Sequence, residues 1–218
     1  MPERGPLVAV VDYGLGNLFS VERALRHIGS CPVITNNRDV ILSSSRIVLP
    51  GVGAFGDAMK GLTERKLIPV LREAVNKGVP LLGICLGMQL LMSSSEEFGN
   101  HQGLDFLKGK VVRFKEPVPG EQFLKIPHIG WNSLCSVDSN KDCWKKTILA
   151  ELEENIFMYF VHSYFVIPKD PDTIVAFTEY GREKFCSVIM QGNITGCQFH
   201  PERSSEAGLS IYRSFVFN

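Results

Sequence analysis

The 218-residue sequence has no surplus of charge: 23 Lys and Arg balance 23 Asp and Glu, and the pI is near 7.0. Without a basic excess to neutralise phosphates, nothing in the composition argues for nucleic acid or an acidic membrane surface as a partner. No apolar stretch approaches the roughly 20 residues of a membrane span. The apolar run Leu7–Val11 is too short for a signal-peptide core, and Met1–Pro6 before it is charged and short, so a soluble cytoplasmic protein is expected. The six cysteines (Cys31, Cys85, Cys135, Cys143, Cys186 and Cys197) contain no C-x-x-C pair. The five histidines (His27, His101, His128, His162 and His200) show no H-x-x-x-H spacing, and no Cys/His cluster has metal-ligand spacing, so neither a metal nor a cofactor is expected. A chain of this length does not need disulfide staples, and the thiols are expected to be reduced and mostly buried. No repeat, low-complexity tract or linker interrupts the sequence, which predicts one domain over residues 1–218.

What the chain does have is an alternation of strand and helix. Apolar residues make up 44% of it, enough for a sizeable core. Leu7–Val11 is continuously apolar and reads as a strand buried on both faces. Asn17–Ile28 has helical periodicity through Leu18, Val21, Leu25 and Ile28, and Gly29 ends it. Cys31–Ile34 and Arg46–Leu49 read as strands, the second closed by Pro50-Gly51. Leu67, Val70, Leu71, Ala74 and Val75 mark a helix with Gly78 just past its end. Val79–Ile84 is the next strand and Leu86–Met92 the next helix. This order predicts an α/β fold built on an open, mostly parallel sheet flanked by helices. From Gly99 to about Asn140 the chain becomes rich in Gly, Pro and short strand-like runs such as Lys110–Phe114. Phe157–Val161 and Thr173–Phe177 are β-rich, and Phe185–Gln191 and Ile194–Phe199 flank the hairpin turn Gly192-Asn193. An antiparallel β portion is therefore expected in the C-terminal half, before an amphipathic helix over Glu206–Phe217.

The sharpest local signal is Gly83-Ile84-Cys85-Leu86-Gly87, between an apolar strand and a helix. It is the cysteine form of the G-x-S-x-G nucleophile elbow. A tight strand-to-helix turn holds the nucleophile in strained backbone geometry, small neighbours at 83 and 87 avoid clashes, and the side chain is lifted above the sheet edge. The Leu86 N–H then points to where an oxyanion would form. A nucleophilic thiol needs a base, and the base needs a holder. Gln198-Phe199-His200-Pro201-Glu202 supplies both: His200 at a strand end, Pro201 fixing the backbone after it, and Glu202 within reach of the imidazole two residues on. His162 also follows a strand and competes as base, but has no carboxylate within three residues.

Gly83–Gly87 with Gln89, together with His200-Pro201-Glu202, resembles the class I, triad-type glutamine amidotransferases, whose fold is flavodoxin-like. Six ordered blocks narrow the resemblance to the glutaminase subunits of imidazole glycerol phosphate synthases: 12–17, 49–59, 83–91, 127–132, 160–164 and 198–205. The resemblance covers nearly the whole chain. It implies that Cys85, His200 and Glu202 form the triad and that glutamine is hydrolysed to glutamate and ammonia through a glutamyl thioester. It implies oxyanion donors at Leu86 and, after rearrangement of the Pro50–Gly53 loop, at Val52 and Gly53. Gly51, Gln89, His162, Ser163 and Tyr164 match glutamine-pocket positions. Ammonia would pass to a separate (β/α)8-barrel subunit making imidazole glycerol phosphate for histidine, with Asn17, Trp131 and Arg203 on or beside blocks that face that partner. Arg203 departs from the family, which commonly has lysine there; arginine keeps the charge but not the shape or hydration of lysine.

Three other readings compete. The same glutaminase could feed a barrel partner that builds amidino sugars for surface polysaccharide. The elbow also serves thiol peptidases and esterases. A non-catalytic binding module conflicts with an intact Cys/His/Glu set. Gly51-Val52-Gly53-Ala54-Phe55-Gly56 matches G-x-G-x-x-G after a strand, but no acidic residue stands at the end of the next strand, as a dinucleotide site would want.

Overall fold

A computed structural model describes residues 5–116, 125–137 and 144–218. The first half alternates as the periodicity predicts. Strands β1 (Leu7–Val11), β2 (Cys31–Thr35), β3 (Arg46–Leu49) and β4 (Leu81–Ile84) are separated by helices α1 (Leu18–His27), α2 (Arg38–Ser43), α3 (Phe55–Glu64) and α4 (Leu67–Asn76). Helix α5 (Leu86–Leu90) follows β4 directly. The short strands β5 (Ser94–Ser95) and β6 (His101–Gln102) precede β7 (Gly109–Arg113), β8 (His128–Ser133) and β9 (Cys135–Ser136). Then come β10 (Phe157–His162), β11 (Tyr164–Pro168), β12 (Ile174–Tyr180), β13 (Glu183–Gln191) and β14 (Ile194–Cys197). A 3-10 turn at Pro201–Arg203 leads into α6 (Ser205–Phe217).

The main sheet has eight strands in the order β2-β1-β3-β4-β14-β13-β12-β9. The five from β2 to β14 are parallel, and β13, β12 and β9 extend them antiparallel. The Gly192-Asn193 turn joins β13 to β14 and so connects the two halves. Two smaller sheets, β10-β8 and β11-β7-β5-β6, complete the antiparallel portion. Strand alternation divides the core across the sheet. Val8, Val10, Val48, Leu82 and Ile84 pack toward α1 and α6 with Phe160, Phe185 and Tyr212. Ala9, Val11, Ile47, Leu49 and Leu81 pack toward α2–α5. Among the described residues no helix is long and apolar enough to cross a membrane.

The parallel strands place the site. Strands β4 and β14 are neighbours at the centre of the sheet, with Ile84 opposite Cys197. The residues just past their carboxyl ends, Cys85 on one and Gln198 to His200 on the other, therefore emerge side by side, where α/β sheets carry their ligands.

Candidate active site

The backbone at Cys85 has φ 53° and ψ −108°, a conformation L-residues rarely adopt. Its neighbours explain how the strain is accommodated. A Cβ on Gly87 would run into the Leu49 carbonyl oxygen, and one on Gly83 would lie 2.7 Å from the Gly87 carbonyl oxygen. Only glycine lets strand β3, the elbow and α5 approach so closely. Cys85 N–H donates to the Cys197 carbonyl at 2.8 Å, which locks the turn to β14. Leu86 opens α5, so its N–H has no intrahelical acceptor.

The thiol lies at the wall of a cavity of about 320 Å³. Val52, Gly53, Cys85, Leu86, Gln89, His162, Ser163 and Tyr164 all line it, so eight of the sequence-derived site residues share one space. Gly51 is buried and packs against Tyr13 and the elbow instead of lining the cavity. Val52 and Gly53 are exposed at the mouth, and Gly53 has φ +107°.

His200 Nδ1 and Glu202 Oε1 are 2.8 Å apart, with both side chains almost fully buried. Burial opposes a charge on the His200 ring, yet Cys85 first and Glu202 next overcome it and push its pKa up to about 10. Its Nε2 is buried without a hydrogen bond of good geometry, as at many nucleophile–base pairs before substrate arrives. Behind Glu202, Tyr212 is wholly buried; burial and the carboxylate charge hold its hydroxyl well above the usual value, so it stays neutral. Cys197, also buried, is held well above an ordinary thiol by burial and by Glu202 and Cys85, and is no rival nucleophile.

The geometry decides against His162 as base. Its Nδ1 is 2.8 Å from the Tyr164 carbonyl, so that nitrogen carries the proton; its Nε2 faces His128 Nδ1 at 3.3 Å. Both ring nitrogens are engaged away from the sulfur. Burial holds His162 at about 3 and His128 at about 4, so the pair is neutral. His128 is itself stacked between Tyr180 and Phe160, with ring centroids at 4.0 and 5.1 Å.

Three side chains in or beside the cavity had no separate sequence signal. Glu97 lines the cavity and accepts the Phe55 N–H at 2.6 Å. Burial raises its pKa, partly offset by that hydrogen bond. This carboxylate occupies the start of α3, where a nucleotide phosphate would sit if the 51–56 glycines were a dinucleotide motif. Gln198 is fully buried beside the thiol, with Nε2 3.6 Å from Cys85 Sγ. His128 supports His162 from outside the cavity. The sequence shows their identities, but the register of β5 with β7 (Glu97), of β4 with β14 (Gln198) and of β8 with β10 (His128) brings them to the site.

Of the residues expected to face a partner, Trp131 is 51% exposed and meets Tyr159 edge-on, and the exposed Arg203 guanidinium lies 5.2 Å from the same ring. Asn17 is partly exposed at the start of α1. Among the described residues no group of three or more His, Cys, Asp or Glu side chains is arranged to hold a metal ion. Cys31, Cys85, Cys135, Cys186 and Cys197 are free thiols; Cys143 lies outside the described residues.

A mostly parallel sheet with a cysteine elbow and a paired histidine beyond the neighbouring strand is the arrangement of enzymes that attack carbonyl carbons through a thiol. The family model of glutamine amidotransferase class-I matches residues 9–218, and the chain belongs to that family as a glutamine amidotransferase. It is 46% identical over 209 residues to imidazole glycerol phosphate synthase subunit HisH 1 of Legionella pneumophila strain Paris, covering 96% of this chain and 98% of that protein. It is 46% identical over 207 residues to subunit HisH of Aquifex aeolicus, covering 94% of each. Among solved structures, it is similar in fold to PurLQS from Thermotoga maritima, with a TM-score of 0.70 and 22% identity over 97% of this chain and 98% of that one.

Proposed function

We propose that this chain is the glutaminase subunit of an imidazole glycerol phosphate synthase, working in the cytoplasm in histidine biosynthesis. The observation that carries the chemistry is the Cys85 elbow opening into a cavity, with His200 and Glu202 hydrogen-bonded behind it. Near-full-length identity to HisH subunits carries the assignment of pathway.

Glutamine enters with its side-chain amide over Cys85. Glu97 supplies the cavity's negative charge and is suited to the α-ammonium group. The sulfur attacks the amide carbon, and the oxyanion is received by the Leu86 N–H and by a second donor from the Val52–Gly53 segment. His200, held by Glu202, gives a proton to the departing nitrogen, and the C–N bond breaks to release ammonia and leave a thioester. Water, deprotonated by His200, adds to that thioester; the C–S bond then breaks, freeing glutamate and the thiolate. Ammonia passes to a (β/α)8-barrel partner that docks over the exposed Trp131 and Arg203 and the partly exposed Asn17.

The test is mass spectrometry after exposure to 6-diazo-5-oxo-norleucine, with and without the liganded barrel subunit. A single adduct on Cys85, blocked by excess glutamine, is expected. An adduct on another cysteine, or none even with the liganded partner, overturns the reading.

A further inference from the structure

The triad accounts for the proton held near the sulfur but not for the amide packed against it. We propose that Gln198 is a further catalytic residue: its side-chain amide donates a hydrogen bond to Cys85 Sγ and holds the sulfur as a thiolate, both before attack and when it leaves the thioester. This deepens the reading of Cys85 as nucleophile and rests on it.

The direction of the amide follows from its neighbours. Gln89 Nε2 donates to the Tyr164 carbonyl at 2.8 Å and to Gln198 Oε1 at 3.1 Å. A carbonyl oxygen only accepts, so the Gln89 atom facing Tyr164 is its nitrogen. That nitrogen has a second N–H, which must find an acceptor in a buried setting, and the Gln198 oxygen provides it. The opposite end of the Gln198 amide is then its nitrogen, 3.6 Å from Cys85 Sγ, within hydrogen-bond range for sulfur. The backbone fixes the position as firmly as the side chains fix the orientation. Gln198 N–H donates to the Ser187 carbonyl at 2.9 Å, and Cys85 N–H donates to the Cys197 carbonyl. With a fully buried side chain, Gln198 has no water to turn toward.

The two protonation states of the sulfur have different partners. As a thiol, Cys85 faces the Val161 carbonyl at 3.8 Å, an acceptor that suits an S–H and repels an S⁻. As a thiolate it needs donors, and the Gln198 N–H is one. A hydrogen bond to the charged form shifts the equilibrium toward that form. The other titratable groups acting around the sulfur are His200, Tyr13 and Cys197. Imidazolium at His200 favours the thiolate too, but it gives up its proton during turnover. The Gln198 amide is neutral and keeps its N–H at every stage. In the second half-reaction water adds to the thioester carbon and its proton goes to His200. The C–S bond then breaks with the electron pair returning to sulfur, where the Gln198 N–H receives it.

The test is the rate of Cys85 alkylation by iodoacetamide in the whole chain, read peptide by peptide by mass spectrometry across pH 6–10. Gln198→Met keeps the shape and removes the donor. Alkylation of Cys85 is expected to be about fivefold slower at pH 7, the equivalent of one hydrogen bond, and equal to wild type at the alkaline plateau. Gln198→Glu puts an anion beside the sulfur and should slow the pH 7 rate further. A loss at every pH including the plateau would indicate a packing role and sink the proposal, as would wild-type rates in Gln198→Met throughout. If neither variant folds, NMR of the wild-type chain decides. A Gln198 side-chain amide proton that shifts with pH, but not in Cys85→Ser, supports the contact, and one indifferent to Cys85 overturns it. No glutamine is used in any of these measurements. A slowed Gln198→Met in a chain that ignores glutamine would leave this inference standing and remove only the proposed substrate.

Discussion

At the scale of single residues, the two histidine systems titrate on opposite sides of neutrality. His200 is raised, whereas His162 and His128 are depressed by burial, to about 3 and about 4. A histidine with a depressed folded-state pKa contributes stability that is present above its unfolded value, about 6.5, and lost as pH falls through the folded value. Stability of the chain is therefore expected to decline between about pH 6.5 and about pH 4, at up to roughly 1.4 kcal/mol per pH unit for each ring. The rise at His200 acts above pH 6.5 and does not cancel it. Urea midpoints across that range check the slope, and a flat profile in the wild type would refute the neutral pair. Glu202 makes a separate prediction. Glu202→Gln keeps a hydrogen-bonding oxygen beside His200 but removes the charge that favours imidazolium. The kcat for glutamine hydrolysis is expected to fall about a hundredfold or more with KM little changed, measured as glutamate release with the liganded partner present.

At the scale of elements, the elbow shows what was legible in the sequence and what was not. The strand Leu7–Val11, the strand Arg46–Leu49, the helix from Leu67 and the Gly192-Asn193 turn all stand where apolar periodicity and turn chemistry put them, because each is a local signal. The Cys85 turn was legible for the same reason. The short helix α2 was missed, although Asn37 caps it by accepting from the Asp39 and Val40 N–H groups. Helix α3 was missed because Gly56 and Gly61 weaken its helical pattern and its start reads as a loop motif. The strands β5, β6 and β9 have two residues each, too few for any periodicity to appear. In the site, the nucleophile is carried by one short motif, Gly83–Gly87, and the base and its holder by another, His200-Pro201-Glu202. Glu97, Gln198 and the His128–His162 pair exist as a site only through sheet register. The elbow's packing gives a test at this scale. Gly87→Ala would force a methyl into the Leu49 carbonyl and separate β3 from α5. A loss of roughly 3 kcal/mol or more is expected, seen in denaturant unfolding; a near-neutral result would mean that the elbow yields more easily than its packing suggests.

At the scale of the whole molecule, the proposed mechanism asks for one donor that the resting site does not yet present, and a docked partner would complete it. The Leu86 N–H is fixed by α5, and the proposed mechanism takes its second oxyanion donor from the Val52–Gly53 segment, which is exposed at the cavity mouth. Among the described residues that segment is anchored at its ends: the Tyr13 hydroxyl donates to the Pro50 carbonyl at 2.7 Å, and Glu97 accepts the Phe55 N–H. Between these anchors the Gly53 backbone, at φ +107°, turns at low cost. A docked partner that orders this stretch would raise kcat without touching the triad. The isolated chain should therefore hydrolyse glutamine weakly, with a rise of about a hundredfold or more when the liganded barrel subunit binds. Equal rates with and without it would refute the arrangement. In the proposed complex Trp131 would separate docking from chemistry, because it is half exposed, leans on Tyr159, whose ring also faces Arg203, and lies outside the cavity. Trp131→Ala is expected to weaken partner binding by about 2 kcal/mol, or roughly thirtyfold in Kd, measured by titration calorimetry. Iodoacetamide alkylation of Cys85 in the isolated variant should match wild type. Loss of Cys85 reactivity in the isolated variant would show that the β8 surface and the nucleophile form one unit even before a partner arrives.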